Sequence, residues 1–156
     1  MKLFKCSNCN QPVYFENTYC VRCNASLGFV AEKLQTLSLT VENKELYSIT
    51  ENKQKIFYKY CSNHQYGVCN WVIPAESKTS FCNACELNRT IPDIGKKEYH
   101  EKWHKIENAK HRLVYQLLRM KLPLVNKLQD EQTGLVFDFM ADTTTNKSER
   151  ILPGHD

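Results

Sequence analysis

No stretch of this 156-residue sequence approaches the roughly 18 consecutive apolar residues of a membrane-spanning helix. Met1-Lys2-Leu3-Phe4-Lys5 also lacks the apolar core of a secretory leader. These two absences predict a cytoplasmic chain with no membrane partner. No glycine-rich phosphate loop, Gly-x-Ser-x-Gly elbow or dinucleotide fingerprint occurs, so motif-based grounds for nucleotide or serine-hydrolase chemistry are missing. Charge of neither sign dominates: a net +4 with a pI near 8.6 does not by itself point to nucleic acid or a membrane surface. Cysteine is absent after position 85, and all eight cysteines lie at or before it.

That asymmetry indicates two ways of reaching stability. The first half is metal-stapled, and the second relies on apolar packing. Cys6-Ser-Asn-Cys9 and Cys20-Val-Arg-Cys23 form two Cys-x-x-Cys pairs separated by ten residues. A two-residue gap lets a tight turn set both sulfurs on one edge of a tetrahedron, and two such turns supply the four ligands of one Zn²⁺. Asn10 and Asn24 follow the second cysteine of each pair, where such turns often need a left-handed residue, and asparagine tolerates that conformation. A disulfide framework is the competing reading, but it requires an oxidising compartment. A redox-active Cys-x-x-Cys pair is a further alternative.

A second group comprises Cys61 and Cys69, with seven residues between them, and Cys82-Asn-Ala-Cys85 after a gap of twelve. The last two form another knuckle. Zinc held by them alone would lack two ligands, which is the reason for recruiting Cys61 and Cys69. His64 could replace one sulfur, and buried free thiols are the plainer alternative for the loosely spaced pair. The sequence therefore predicts two structural zinc ions, held by Cys6, Cys9, Cys20 and Cys23 and by Cys61, Cys69, Cys82 and Cys85.

Around these sites, Val13-Tyr14-Phe15 suits a short strand, and Ser26 to Val30 can pack beneath the knuckles. Lys33 to Thr40 and Leu46 to Ile49 alternate at the strand period around an Asn43-Lys44 turn, although Glu32 to Leu39 also scores as a helical turn. Cys69-Asn70-Trp71-Val72-Ile73-Pro74 supplies a bulky strand to cover the second site. Leu87 to Asp93 reads as a linker because of Pro92. From Lys97 to Lys121, Tyr99, Trp103, Ile106, Leu113, Leu117 and Met120 recur at helical spacing. Pro123 is expected to end that helix, and residues 135–140 read as a strand without an obvious partner. The expected fold is small α+β, with rubredoxin-like knuckles and short antiparallel strands, then a long amphipathic helix and an incomplete α+β segment. The expected division is a double zinc ribbon over 1–93 and a second, helix-led segment over 94–156.

The helix contains His100-Glu101-Lys102-Trp103-His104. Histidines at i and i+4 share a face and could bind zinc, with Glu101 as general base. A catalytic site also needs a convergent third ligand. Glu107 lies on the same helix, and His111 is about 10 Å beyond His104 at 1.5 Å per residue. The expectation is that His100, His104, Glu107 and His111 form a polar stripe flanking the apolar face. Asp138, Asp142, His155 and Asp156 are scattered in a polar tail and are expected to face solvent.

Cys6-x-x-Cys9 with Val13-Tyr14-Phe15-Glu16-Asn17, Cys20-x-x-Cys23, Cys69-Asn70-Trp71, and Cys85-x-Leu87 leading to Thr90-Ile91-Pro92-Asp93 resemble a bacterial zinc-ribbon family attached to zinc metallopeptidases. Ala109-Lys110-His111-Arg112-Leu113-Val114-Tyr115, Phe137-Asp138-Phe139 and Gly154-His155-Asp156 resemble the start of the peptidase region. The resemblance implies that the catalytic H-E-x-x-H lies downstream of the last segment, so this chain is expected to be truncated before it and to have no catalytic residues. The function expected is a structural zinc-binding ribbon, the N-terminal portion of a zinc metallopeptidase. Two alternatives stand beside it: a nucleic-acid-binding ribbon using Lys53, Lys55 and Lys59 among Phe57, Tyr58 and Tyr60, and a peptidase using His100 to His104. The partner is left open between a protein and nucleic acid.

Overall fold

The computed structural model describes residues 3–142 together with Ile151 and Gly154. The first ribbon opens with β1, Phe4–Lys5, paired antiparallel to β2, Pro12–Val13. The expected strand at Val13 to Phe15 therefore begins earlier and stops at Val13. Tyr14 turns outward instead, with its N–H on the Asn17 side-chain carbonyl at 2.6 Å, while Phe15 is buried.

The main departure from expectation is a closed five-stranded barrel that begins after the first cysteine group and whose last two strands flank Cys61 and Cys69. It comprises β3 (Ser26–Val30), β4 (Gln35–Val41), β5 (Tyr47–Glu51), β6 (Gln54–Tyr60) and β7 (Trp71–Pro74). Successive strands pair antiparallel, and β7 closes against β3 in parallel through Phe29 with Trp71 and Val30 with Val72. Strand patterning anticipates β4, β5 and β7 but neither identifies β3 as a strand nor reveals the closure. Closure depends on the β3–β7 contact across some forty residues of sequence and leaves no open sheet edge. The β5–β6 hairpin turns at Asn52 and Lys53, with φ of 49° and 64°. A two-residue loop with both φ positive is the type I′ turn, which matches strand twist. The helical turn considered at Glu32 is the short 3₁₀ turn Ala31–Lys33.

β3 explains how barrel and ribbon share one structure. Leu27 and Phe29 face the ribbon core, whereas Val30 faces the barrel interior with Leu39, Ile49, Tyr58 and Val72. Both faces are covered, which suits the nearly continuous apolar run Leu27-Gly28-Phe29-Val30. Gly28 permits the close approach: a Cβ there would lie 2.7 Å from Val72 Cγ1 and 2.9 Å from Leu39 Cδ1.

The segment expected to be a linker is structured. Leu87 is buried, and β8 (Asn88–Thr90) pairs in parallel with β9 (Phe137–Asp138). The expected 135–140 strand is thus shorter than read, and its partner lies on the N-terminal side of the helix, beyond the reach of local sequence patterning. Helix α1 runs from Lys97 to Arg119. It ends before Pro123, where Lys121 takes a left-handed φ of 58°. Its buried residues are Trp103, Glu107, Lys110, His111, Val114 and Tyr115, whereas Ile106, Leu113 and Met120 are exposed. The inward face is therefore rotated from the one drawn through the apolar residues. Val114 and Tyr115 complete the ribbon core beside Phe4, Phe15, Phe29 and Trp71, and Arg112 pairs with Glu16 at 2.5 Å. No described helix is long and apolar enough to cross a membrane.

Candidate metal centres

At the first centre, the chain turns twice in the same way. Asn10 N–H donates to Cys6 O at 2.9 Å, and Asn24 N–H donates to Cys20 O at 2.8 Å. Both asparagines are left-handed, with φ of 61° and 58°, as the sequence reading requires. Each turn aims two sulfurs inward. Cys6 and Cys23 are 3.7 Å apart and Cys9 and Cys20 3.6 Å. A tetrahedron with Zn–S bonds of about 2.3 Å has sulfur–sulfur edges of about 3.8 Å, so the spacing fits one zinc ion and exceeds the covalent S–S distance of about 2.05 Å. Cys6 and Cys20 are fully buried, while Cys9 and Cys23 form the partly open rim.

Thiolate-stabilising donors surround these sulfurs. Hydrogen bonding to Asn8, with the Ala25 N–H adding to it, brings Cys23 down to about 6. The Cys23 N–H likewise lowers Cys20. Cys9 is pushed up to about 12: the Gln11 N–H pulls it down, but burial and three neighbouring sulfurs prevail. Four thiols crowded this closely cannot all ionise cheaply unless a cation joins them.

The second centre draws its ligands from three places. Cys61 directly follows β6 and Cys69 precedes β7, and the Cys61 N–H donates to Trp71 O at 3.0 Å. The intervening residues Ser62–Tyr66 form a 3₁₀ turn ending on left-handed Gly67. This turn is how a loosely spaced pair is brought together without a Cys-x-x-Cys knuckle. Cys82 and Cys85 supply the remaining edge at the start of a 3₁₀ turn, Cys85–Leu87. All four cysteines are buried, and their sulfurs lie within 4.8 Å of one another, with Cys69 and Cys82 at 3.8 Å. Backbone N–H groups of Trp71 and Cys82 reach the sulfurs of Cys69 and Cys61, each at 3.4 Å. Hydrogen bonds from Cys69, Cys82 and Cys85 hold the Cys61 thiol well below its ordinary value. Burial pushes Cys69 up, and the Cys61 interaction does the same to Cys85. All eight cysteines are free of disulfides, and each group can bind one zinc ion.

His64 does not join this cluster. Its Nδ1 is 2.8 Å from Cys69 O, and its ring stacks on Tyr60 at 3.8 Å. The histidine beside the sulfurs is His111, with Nε2 at 3.7 Å from Cys85 Sγ and 4.0 Å from Cys82 Sγ. Burial draws the His111 pKa down, but contact with Cys85 and the nearby Glu107 carboxylate raises it overall. Glu107 is fully buried on the same turn. Its Oε1 lies 2.7 Å from Lys110 Nζ, and its Oε2 accepts from Trp103 Nε1 at 3.2 Å and Asn88 Nδ2 at 3.1 Å. Glu107 and His111 are therefore not part of an exposed polar stripe, contrary to expectation. The signal for their burial was present: both fall at helical spacing from Trp103.

The H-E-x-x-H string does not assemble a site. His100 Nε2 lies 2.8 Å from Tyr66 O, and exposed His104 contacts Asn108 on its own helix. Glu101 is exposed, 3.9 Å from Lys97. None of the three belongs to a described cluster of metal-ligating side chains. Asp138 is engaged by Arg89 and Thr90, and Asp142 accepts the Ile151 N–H. His155 and Asp156 lie outside the described residues. Along β6, Phe57 is exposed and Tyr58 buried, while Tyr60 donates its hydroxyl to Leu27 O. Lys55 pairs with Glu42, Lys59 bonds to Ser77 O, and Lys53 occupies the hairpin turn.

Comparison with known proteins agrees with this chemistry. A sequence profile described as "Putative zinc-binding metallo-peptidase" matches residues 99–156. The curated relatives include "Uncharacterized protein Rv2568c" of Mycobacterium tuberculosis and "Uncharacterized protein Mb2598c" of Mycobacterium bovis. Each is 28% identical over 155 residues, covering 99% of this chain and 40% of the relative. The chain thus spans about 40% of the length of the curated relatives it matches. No solved structure matches. The zinc-ribbon domain profile matches residues 3–96, a span that contains both four-cysteine clusters, and the chain belongs to that zinc-ribbon family.

Proposed function

We propose that the chain is a structural zinc-binding module, the N-terminal portion of a zinc metallopeptidase, and that it does not itself hydrolyse peptides. The observation carrying this reading is the closed character of the two clusters, each with four sulfurs available to fill a tetrahedron. Zinc with four thiolates has no open position at which to activate water, so its free energy of binding goes into folding. Zinc bound here supplies structural cross-linking, and the cysteine turns orient the strands and α1 around it. In longer family members, catalysis belongs on this reading to an H-E-x-x-H downstream of the segment matched here.

Elemental analysis of the purified chain, combined with alkylation under native conditions, tests the proposal. Two zinc ions per chain and protection of all eight cysteines are expected. One ion, with Cys61 and Cys69 freely alkylated, would remove the second centre.

A further inference from the structure

Cys85 Sγ, a Glu107 carboxylate oxygen and a His111 ring nitrogen converge within 4.8 Å of one another, with Cys85 Sγ at 3.5 Å from Glu107 Oε1 and 3.7 Å from His111 Nε2. Sulfur, oxygen and nitrogen at such distances could hold a further metal ion. However, the Lys110 ammonium, 2.7 Å from Glu107 Oε1 and buried with it, already supplies the positive charge that an ion would bring. Lys110 is itself enclosed by Asn88 of β8 and by the rings of Phe137 and Phe139 at 5.8 and 5.5 Å. A third ion there would face an ammonium at contact distance. The trio must serve the four-cysteine centre instead.

His111 is built for that service. Its Nδ1 is fixed by Glu107 O at 2.7 Å, which turns Nε2 toward the sulfurs of Cys82 and Cys85. Its ring also packs at 5.3 Å from Trp71, the residue whose N–H reaches Cys69 Sγ. A ring fixed through one nitrogen in this way is how histidines are oriented toward metals, but the four sulfurs of Cys61, Cys69, Cys82 and Cys85 already suffice for a tetrahedron, so His111 Nε2 meets the ligands from outside. The supporting groups here come from α1, whereas the ligands come from the ribbon.

We propose that the second zinc centre is the seat of α1: zinc binding by Cys61, Cys69, Cys82 and Cys85 fixes the Cys82–Cys85 turn against His111 and Glu107, so metal occupancy governs the docking of α1 onto the ribbon. His111 and Glu107 are positioning residues in this arrangement. Through Lys110, Asn88 and the two phenylalanines, the same contact extends to the β8–β9 pair. Metal loss from the second centre would therefore release the helix as well as loosen the knuckle. This inference rests on the two-zinc reading above.

The test uses the full chain loaded with zinc or with Co²⁺, whose absorption reports the sulfur ligands. Chelator competition should resolve two ions. His111→Ala should weaken one of them by about 10- to 100-fold, leave the other unchanged, and shift the sulfur-to-cobalt absorption of the weakened site. Two ions with unchanged affinities and spectrum in His111→Ala would overturn this inference while leaving the two-zinc reading intact. A wild-type stoichiometry of one ion, with the second cysteine group alkylated, would overturn both. Should His111→Ala not fold, amide exchange of the wild-type chain before and after partial chelation decides the matter. Loss of the second ion should accelerate exchange across Trp103 to Tyr115 by at least about tenfold, whereas unchanged α1 protection would show that the helix is seated independently of metal.

Discussion

The ring of Tyr115, on α1, packs at 5.3 Å from that of Phe15, which lies between the two knuckles of the first zinc centre. Phe4 and Phe29 approach the same tyrosine at 6.2 and 5.8 Å. The ribbon does not close its own apolar core. It borrows a face of the helix, and the helix gains in return an apolar surface that buries Val114 and Tyr115. Small metal-stapled modules bury too little surface to be generous with such contacts. Sharing a core is one solution.

Phe15→Ala should consequently act on both parts together. Truncating a fully buried phenylalanine costs about 3–5 kcal/mol, and the residue is 1% exposed. Chemical denaturation of the zinc-loaded variant should show this loss, together with faster amide exchange in α1. A change below about 1 kcal/mol, or an undisturbed helix, would mean that the two parts are stabilised separately.

Metal removal should be more severe. With the cysteines emptied, the first ribbon retains only the two-residue strands β1 and β2, and such pairs are not stable alone. Complete chelation at neutral pH is expected to abolish the near-ultraviolet signal of the buried aromatics and to expose all eight thiols. Acidification should act in the same direction, because the ligands bind zinc as thiolates and protons compete for them. Retention of native circular dichroism after verified metal removal would contradict this expectation.

The legibility of this architecture in the sequence follows the range of the interactions involved. Asn10 and Asn24 announced their left-handed turns because the requirement is local to each knuckle. Residues 69–74 were recognisable as a strand from side-chain type, whereas Ser26 to Val30 was legible only as an apolar segment packing beneath the knuckles. Their parallel pairing was not, since nothing in either segment specifies the other. β8 was concealed for a similar reason: Asn88-Arg89-Thr90 carries no strand pattern and is held by β9 nearly fifty residues later. The phase of α1 departs from its apolar periodicity because buried Glu107, Lys110 and His111 are polar. Apolar periodicity assigns such residues to solvent, and only their mutual pairing and the adjacent sulfurs make burial affordable.

The β8–β9 pair should depend on one carboxylate. Arg89 and, secondarily, Thr90 hold Asp138 at about 2, below the ordinary 3.8. A carboxyl group depressed in the folded state contributes stability above the unfolded pKa, and that contribution is lost as pH falls from about 4 toward 2. Because acid also expels zinc, Asp138→Asn at pH 7 provides the cleaner test. Faster exchange of the Phe139 amide, which donates to Thr90 O at 2.9 Å, is expected with the zinc count unchanged. Equal exchange in variant and wild type would assign the pairing to the backbone alone.

Glu101 supplies the sharpest test of the H-E-x-x-H string. A general base must reach a metal-bound water, and the metal would need His100, His104 and a third ligand around it. Instead, His100 is turned to Tyr66 O, His104 to Asn108, and the carboxylate of Glu101 is exposed near Lys97. Glu107, the nearest acid one turn on, is committed to Lys110, Trp103 and Asn88. Replacing Glu101 with Gln should therefore leave fold, zinc stoichiometry and any background hydrolysis of a peptide library unchanged. A true general base typically contributes a factor of about 10² to 10⁴, so the distinction is well within reach of an ordinary assay. Zinc-dependent cleavage by the wild-type chain that is lost in Glu101→Gln would require His100 and His104 to leave their present partners and converge on a metal, and would make the helix a catalytic element rather than a packing one.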